Sequence, residues 1–151
     1  MSKITVGSAV DLINSSIEKF HDGLNPNYIE LMITAVNNHL QVRDYLMGMP
    51  ATHPINECVE FVSYLSKSID EQDRYAVDTV NAMFQYELGN VEKSKELLTS
   101  AKSVNPDYNL AQLLTRVISA QWPYASMATM RSELHPKVVS HLEDIAHEVI
   151  G

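Results

Sequence analysis

Apolar positions recur at helical spacing from one end of this chain to the other. Val10, Ile13, Ile17 and Phe20 fall at i, i+3, i+7 and i+10, with Ser8 and Asp11 placed to cap the segment and Gly23 to stop it. Asn25 and Pro26 restart the chain as N-cap and first helical residue, and Ile29, Met32, Ile33, Val36 and Leu40 form the next stripe. "QVRDYLMGM", residues 41–49, predicts a short helix or a bent extension, closed by Gly48 and Pro50. "ATHP" reads as a loop. Ile55, Cys58, Phe61, Val62, Leu65 and Ile69 then predict a fourth helix, and Asp70 is positioned to cap a fifth carrying Ala76, Val77, Val80, Phe84 and Leu88.

Gly89 ends that helix, and Asn90 caps a sixth with Val91, Leu97, Leu98, Ala101 and Val104 before Pro106 breaks it. Leu110, Leu113, Leu114 and Val117 give a seventh, interrupted by "QWP". Met127, Met130 and Leu134 predict a short eighth. Pro136, as a helix starter, predicts a ninth with Val138, Leu142, Ile145 and Val149. Alternating strand patterns are missing, and "KITV" is the one strand-like scrap. The expected fold is all-α: a single domain over residues 1–151, with eight or nine helices and no linker.

One stretch has more internal order than the rest. Residues 75–108 align without gaps to the 34-residue tetratricopeptide pattern. Ala82 takes the small position of the first helix and Tyr86 the aromatic one. Gly89 makes the turn, and Ser94, Leu98, Ala101 and Pro106 follow in place. Two helices approach closely only where side chains are small, so Ala82, Ser94 and Ala101 are the expected contact points. Asp78 stands where Trp is usual, and no second unit follows at the same offset. A lone unit cannot bury its own face, so non-repeat helices must cover it.

The same stretch, continued to residue 123, resembles the C-terminal part of the actinobacterial family of domain of unknown function 4192. Asn105-Pro106-Asp107-Tyr108, Leu110-Ala111 and Leu113-Leu114 carry the resemblance, with "VRDYLMG" at 42–48 similar to a segment upstream in that family. The similarity covers roughly residues 30–123. It implies a helical fold and an actinobacterial or actinophage setting, but no activity. Family members are usually longer, and "HPKVVSHLEDIAHEVIG" has no counterpart among them. Lys outnumbers Arg, and Asn and Ile are plentiful, which suggests an AT-leaning gene and points toward a phage or another mobile element.

Composition narrows the function classes. The formal net charge is -8 with 20% charged residues, the opposite of what a sequence-independent nucleic-acid binder or an anionic-membrane binder needs. Cys58 is the only cysteine, so no internal disulfide can form, and a reducing, cytoplasmic setting is expected. The first residues show no secretory leader pattern, and no apolar run is long enough to span a bilayer.

Candidate chemistry is thin. His53–Glu57 and Glu143–His147 are four apart, a spacing that shares a helix face, but neither extends to a metal motif with a third ligand. Cys58 lies on an apolar stripe and reads as a buried hydrophobe rather than a nucleophile. "DEQDR" at 70–74 reads as a solvated helix start and Arg43-Asp44 as a salt bridge. No catalytic, cofactor or metal site is expected.

Three function classes stay open: a non-enzymatic protein-binding module, a structural or scaffold protein working as a homo-oligomer such as a homodimer, and an enzyme with a dispersed site. The first is favoured because the fold is helical-hairpin, the chain is acidic and no chemistry shows. In a tetratricopeptide hairpin the first helix lines the partner face. That assigns Thr79, Met83 and Tyr86 to protein binding, with Gln112 and Arg116 added from the next helix and Trp122 as a further interaction candidate. The competing reading has Met83 and Tyr86 covered by the N-terminal helices, and Trp122 stapling the last hairpin to the body.

Overall fold

In the computed structural model, which describes residues 3–150, the chain is 76% helical and the fold is all-α. Residues 1, 2 and 151 of the expected domain lie outside the described residues. The eight helices are α1 (Val6–Ile17), α2 (Pro26–Asn38), α3 (Leu40–Met47), α4 (Ile55–Lys67), α5 (Tyr75–Glu87), α6 (Val91–Val104), α7 (Asn109–Ser119) and α8 (Ala125–Asp144). The two short strands, β1 (Ile4–Thr5) and β2 (Val149–Ile150), pair antiparallel.

Local chemistry sets most boundaries. Asn25 Oδ1 accepts from the Asn27 amide at 2.9 Å ahead of Pro26, so α2 starts as expected. Gly89, at φ +82°, makes the α5–α6 turn in a conformation that a Cβ would penalise. At the start of α1 the cap is Thr5, whose Oγ1 accepts from the Ser8 amide at 3.1 Å; Ser8 and Asp11 do not form the expected capping box. Asp70 opens a 3-10 turn over Glu71–Asp73, not α5 itself. His39 breaks α2 from α3 in an extended conformation, which puts Leu40 at the exposed start of α3, off the α2 stripe. Leu88 follows the last residue of α5 and is likewise exposed.

The largest departure is at the C-terminus. The expected eighth and ninth helices are one helix of 20 residues with Pro136 inside it. Met127, Arg131, His135, Val138 and Leu142 lie at spacings of four, four, three and four, a continuous inward stripe across the proline. Pro136 itself is exposed, so the carbonyl that loses its donor lies on a face open to water. Val149, assigned to the ninth helix by its periodicity, belongs to β2 instead. There the Val6 and Gly7 amides donate to the Glu148 and Ala146 carbonyls at 2.8 and 2.9 Å. A Cβ on Gly7 would meet the Ala146 side chain and carbonyl at 3.1 Å, so a glycine permits this approach of the two ends.

The core has two parts joined through α5. Ala76, Val77, Val80 and Phe84 pack with residues of α1–α4, whereas Ala82, Met83 and Tyr86 pack with α6, α7 and α8. Every residue of α5 from Ala76 to Tyr86 is buried, polar ones included. Those polar groups are bonded locally. Ser66 donates to Asp78 at 2.7 Å, Asn81 to Ser63 at 3.3 Å, Gln85 to Asn81 at 3.3 Å, and Asn90 to Gln85 at 2.9 Å.

Candidate functional site

Sheathing α5 leaves an open groove of about 550 Å³ between α3, α7 and α8. Met83 of α5 lies at its base, with Leu110, Leu114 and Val117 of α7 beside it. Leu113 of α7 and Leu134 of α8 also line it, and Trp122 stands in the α7–α8 connection. These three are 47%, 50% and 43% exposed, large apolar side chains left half in water around one concavity.

Polar groups in the lining are mostly committed to one another. Arg43 donates through Nη2 and Nε to Asp44 Oδ1 at 2.9 and 3.2 Å, and through Nη1 to the Tyr108 hydroxyl at 3.4 Å. Burial opposes its charge, but Tyr108 and Asp44 outweigh that and raise its pKa. Arg131, nine-tenths buried, pairs end-on with Glu87 of α5, Nη1 and Nη2 each meeting one carboxylate oxygen. Its Nε finds no partner in the chain, and neither does His135 Nδ1 one turn further on. His135 packs on Gly48, where a Cβ would fall 2.2 Å from Nδ1, so that glycine is required for the α3–α8 approach. Burial, reinforced by Arg131, holds the His135 imidazole below its ordinary pKa.

The six residues singled out from the sequence do not form one surface. Thr79 is fully buried, with its hydroxyl on the Tyr75 carbonyl, and Tyr86 is buried with its hydroxyl 2.5 Å from the Trp122 carbonyl. Neither is presented to a partner. The cover over Tyr86 is the α7–α8 connection, with the Tyr124 ring edge-on at 5.1 Å, rather than the N-terminal helices. Gln112 turns back to the Pro106 carbonyl, and Arg116 is exposed outside the groove. Only Met83 and Trp122 of the six line it; the Trp122 backbone carbonyl holds the connection to Tyr86, and its ring is 43% exposed.

Sequence reasoning missed the Glu87–Arg131 pair and the contributions of Leu134, His135 and Lys137. The pair spans 44 positions, and no short-range pattern marks such a contact. Pro136 has the sequence signature of a helix start, which hides the continuity of the 134–138 stretch.

The residues weighed as candidate chemistry are engaged elsewhere in the fold. Burial pushes the Cys58 thiol up to about 12, which leaves it protonated. His53 engages Glu18 at 2.9 Å instead of Glu57, and α8 ends before His147, so neither His–Glu spacing forms a face. Among the described residues no three His, Cys, Asp or Glu side chains converge as a metal would require, and no helix is long and apolar enough to cross a membrane. No family model, curated protein or solved structure matches this chain.

Proposed function

We propose that this chain is a non-enzymatic protein-binding module that docks its partner in the α3–α7–α8 groove. The observation that carries this is the ring of half-exposed Leu113, Trp122 and Leu134 around one apolar concavity. Such side chains cost solvation in the free protein and are the kind that anchor partners. Met47, Met83 and Met130 add adaptable surface.

The α5–α6 hairpin fits the tetratricopeptide-like reading at its crossing, where Ala82, Ser94 and Ala101 are all buried. Its partner-facing side is used internally, so the docking surface moves to the neighbouring helices. Kinship with the 4192 family, and with it an actinophage or other mobile-element origin, belongs to the same proposal. Arg43 and Tyr108, one from each resembling segment, touch each other, which gives both a structural role. A buried single thiol suits a reducing cytoplasm.

The test is comparative affinity capture with wild type and Leu134→Glu, followed by mass spectrometry. A protein retained stoichiometrically by wild type and lost with the variant is expected. Identical retention by both would sink the groove as the docking site.

A further inference from the structure

We infer that the groove's occupant is an amphipathic helix carrying acidic residues along the flank of its apolar face. This rests on the protein-binding reading and adds the partner's chemistry. Two observations lead to it.

The first is shape. Small ligands are usually enclosed over most of their surface. Here the apolar rim at Leu113, Trp122 and Leu134 remains about half exposed. A long partner element lying across the rim would cover it, and a helix does so with side chains at i, i+3, i+4 and i+7.

The second is charge. The chain carries -8 overall, yet Asp44 is the only carboxylate in the groove lining among the described residues, and Arg43 holds it at 2.9 Å. Glu87, behind the lining, is taken by Arg131. Among the described residues Lys137 lines the groove and makes no ion pair, and the only other ionisable groups there are His135 and His141. The spare charge of this face is therefore cationic on an otherwise anionic protein. A carboxylate on the occupant's flank would pair with Lys137 at close range, whereas a basic side chain there would meet only Asp44, already held by Arg43.

The experiment is selection from a displayed library of random peptides about 16 residues long, a length that holds a helix of several turns. Selection uses wild type, with counter-selection on Leu134→Glu. Leu134 is half exposed, so this variant should fold, and its circular dichroism verifies that. Lys137→Met removes only the rim charge and serves as the second variant. The expected outcome is enrichment of peptides with apolar residues at helical spacing and Asp or Glu beside them. A synthetic copy of such a peptide should become helical on binding, bind Lys137→Met several-fold more weakly by fluorescence anisotropy, and weaken with salt. If selection yields groove-dependent peptides that are neutral or basic and indifferent to Lys137→Met, the acidic-helix inference falls while the groove reading stands. If no peptide depends on Leu134, both fall. If wild type self-associates in sedimentation and Leu134→Glu does not, the occupant is a second copy of this chain and the inference is overturned.

Discussion

Ser94 of α6 donates its hydroxyl hydrogen to the Ala82 carbonyl of α5 at 2.7 Å, with both residues buried. One short side chain separates two helix backbones at this point. The crossing leaves no room for a larger side chain, and Ala101, also buried on α6, is the next small residue of this helix that the α5–α6 pattern requires. Ala101→Leu and Ser94→Val should therefore each destabilise by about 1–3 kcal/mol through overpacking, the second also losing its hydrogen bond. Urea unfolding midpoints measure this. Variants as stable as wild type would show that the crossing is not sterically limited.

The Glu87–Arg131 pair is expected to matter more when broken than when intact. Glu87→Ala leaves a nine-tenths buried guanidinium without its carboxylate, and removal of one partner of a buried pair typically costs about 3–5 kcal/mol. The double variant Glu87→Ala with Arg131→Met should recover much of that loss, because no charge then stays buried. Equal instability of single and double variants would mean that packing, not the uncompensated charge, dominates.

Cys58 should be silent in the folded state. Its thiol is buried and pushed up to about 12, so little thiolate exists at pH 8. Labelling by Ellman's reagent should be slow in native buffer and immediate in denaturant. Fast native labelling would place the thiol in a region that opens locally.

Asp78 supplies a pH signature. Burial is the main cause of its raised pKa; the Ser66 hydroxyl, Arg74 and Lys93 oppose the shift. A carboxyl whose folded pKa lies above its ordinary 3.8 holds its proton better in the folded state. Its contribution is thus fully present below pH 3.8 and is lost as pH rises through the folded value. Asp78→Asn keeps an oxygen for Ser66 and removes that loss. Relative to wild type, the variant should gain stability between pH 4 and pH 7, read as a widening gap in urea midpoint. A constant gap would mean that Asp78 is ionised in the fold throughout.

Local patterns determined how much of this chain is helical and where most helices begin and end. Asn25-Pro26 and Gly89 act on their immediate neighbours, so their effects are visible in a single sequence. Apolar spacing likewise fixed which face turns inward on α4, where Cys58, Phe61, Val62 and Leu65 are buried, because a one-sided apolar stripe follows the 3.6-residue period whatever the partner is. What it could not fix is which elements cover which. The α5 polar residues Asp78, Thr79, Asn81 and Gln85 read as surface by type, and are buried because α4 and the α5–α6 turn bring hydroxyl and amide partners to three of them, and the α5 backbone to Thr79. Pro136 reads as a helix start, yet α8 runs through it, since packing along Met127 to Leu142 outweighs one missing hydrogen bond on a wet face. The groove is decided wholly at this level. Arg43, Met83, Leu113 and Leu134 come from four helices, and only the packing of α3, α7 and α8 around α5 sets them around one concavity. Tertiary contacts of that range depend on the total burial of the chain, a quantity that no local run of residues encodes.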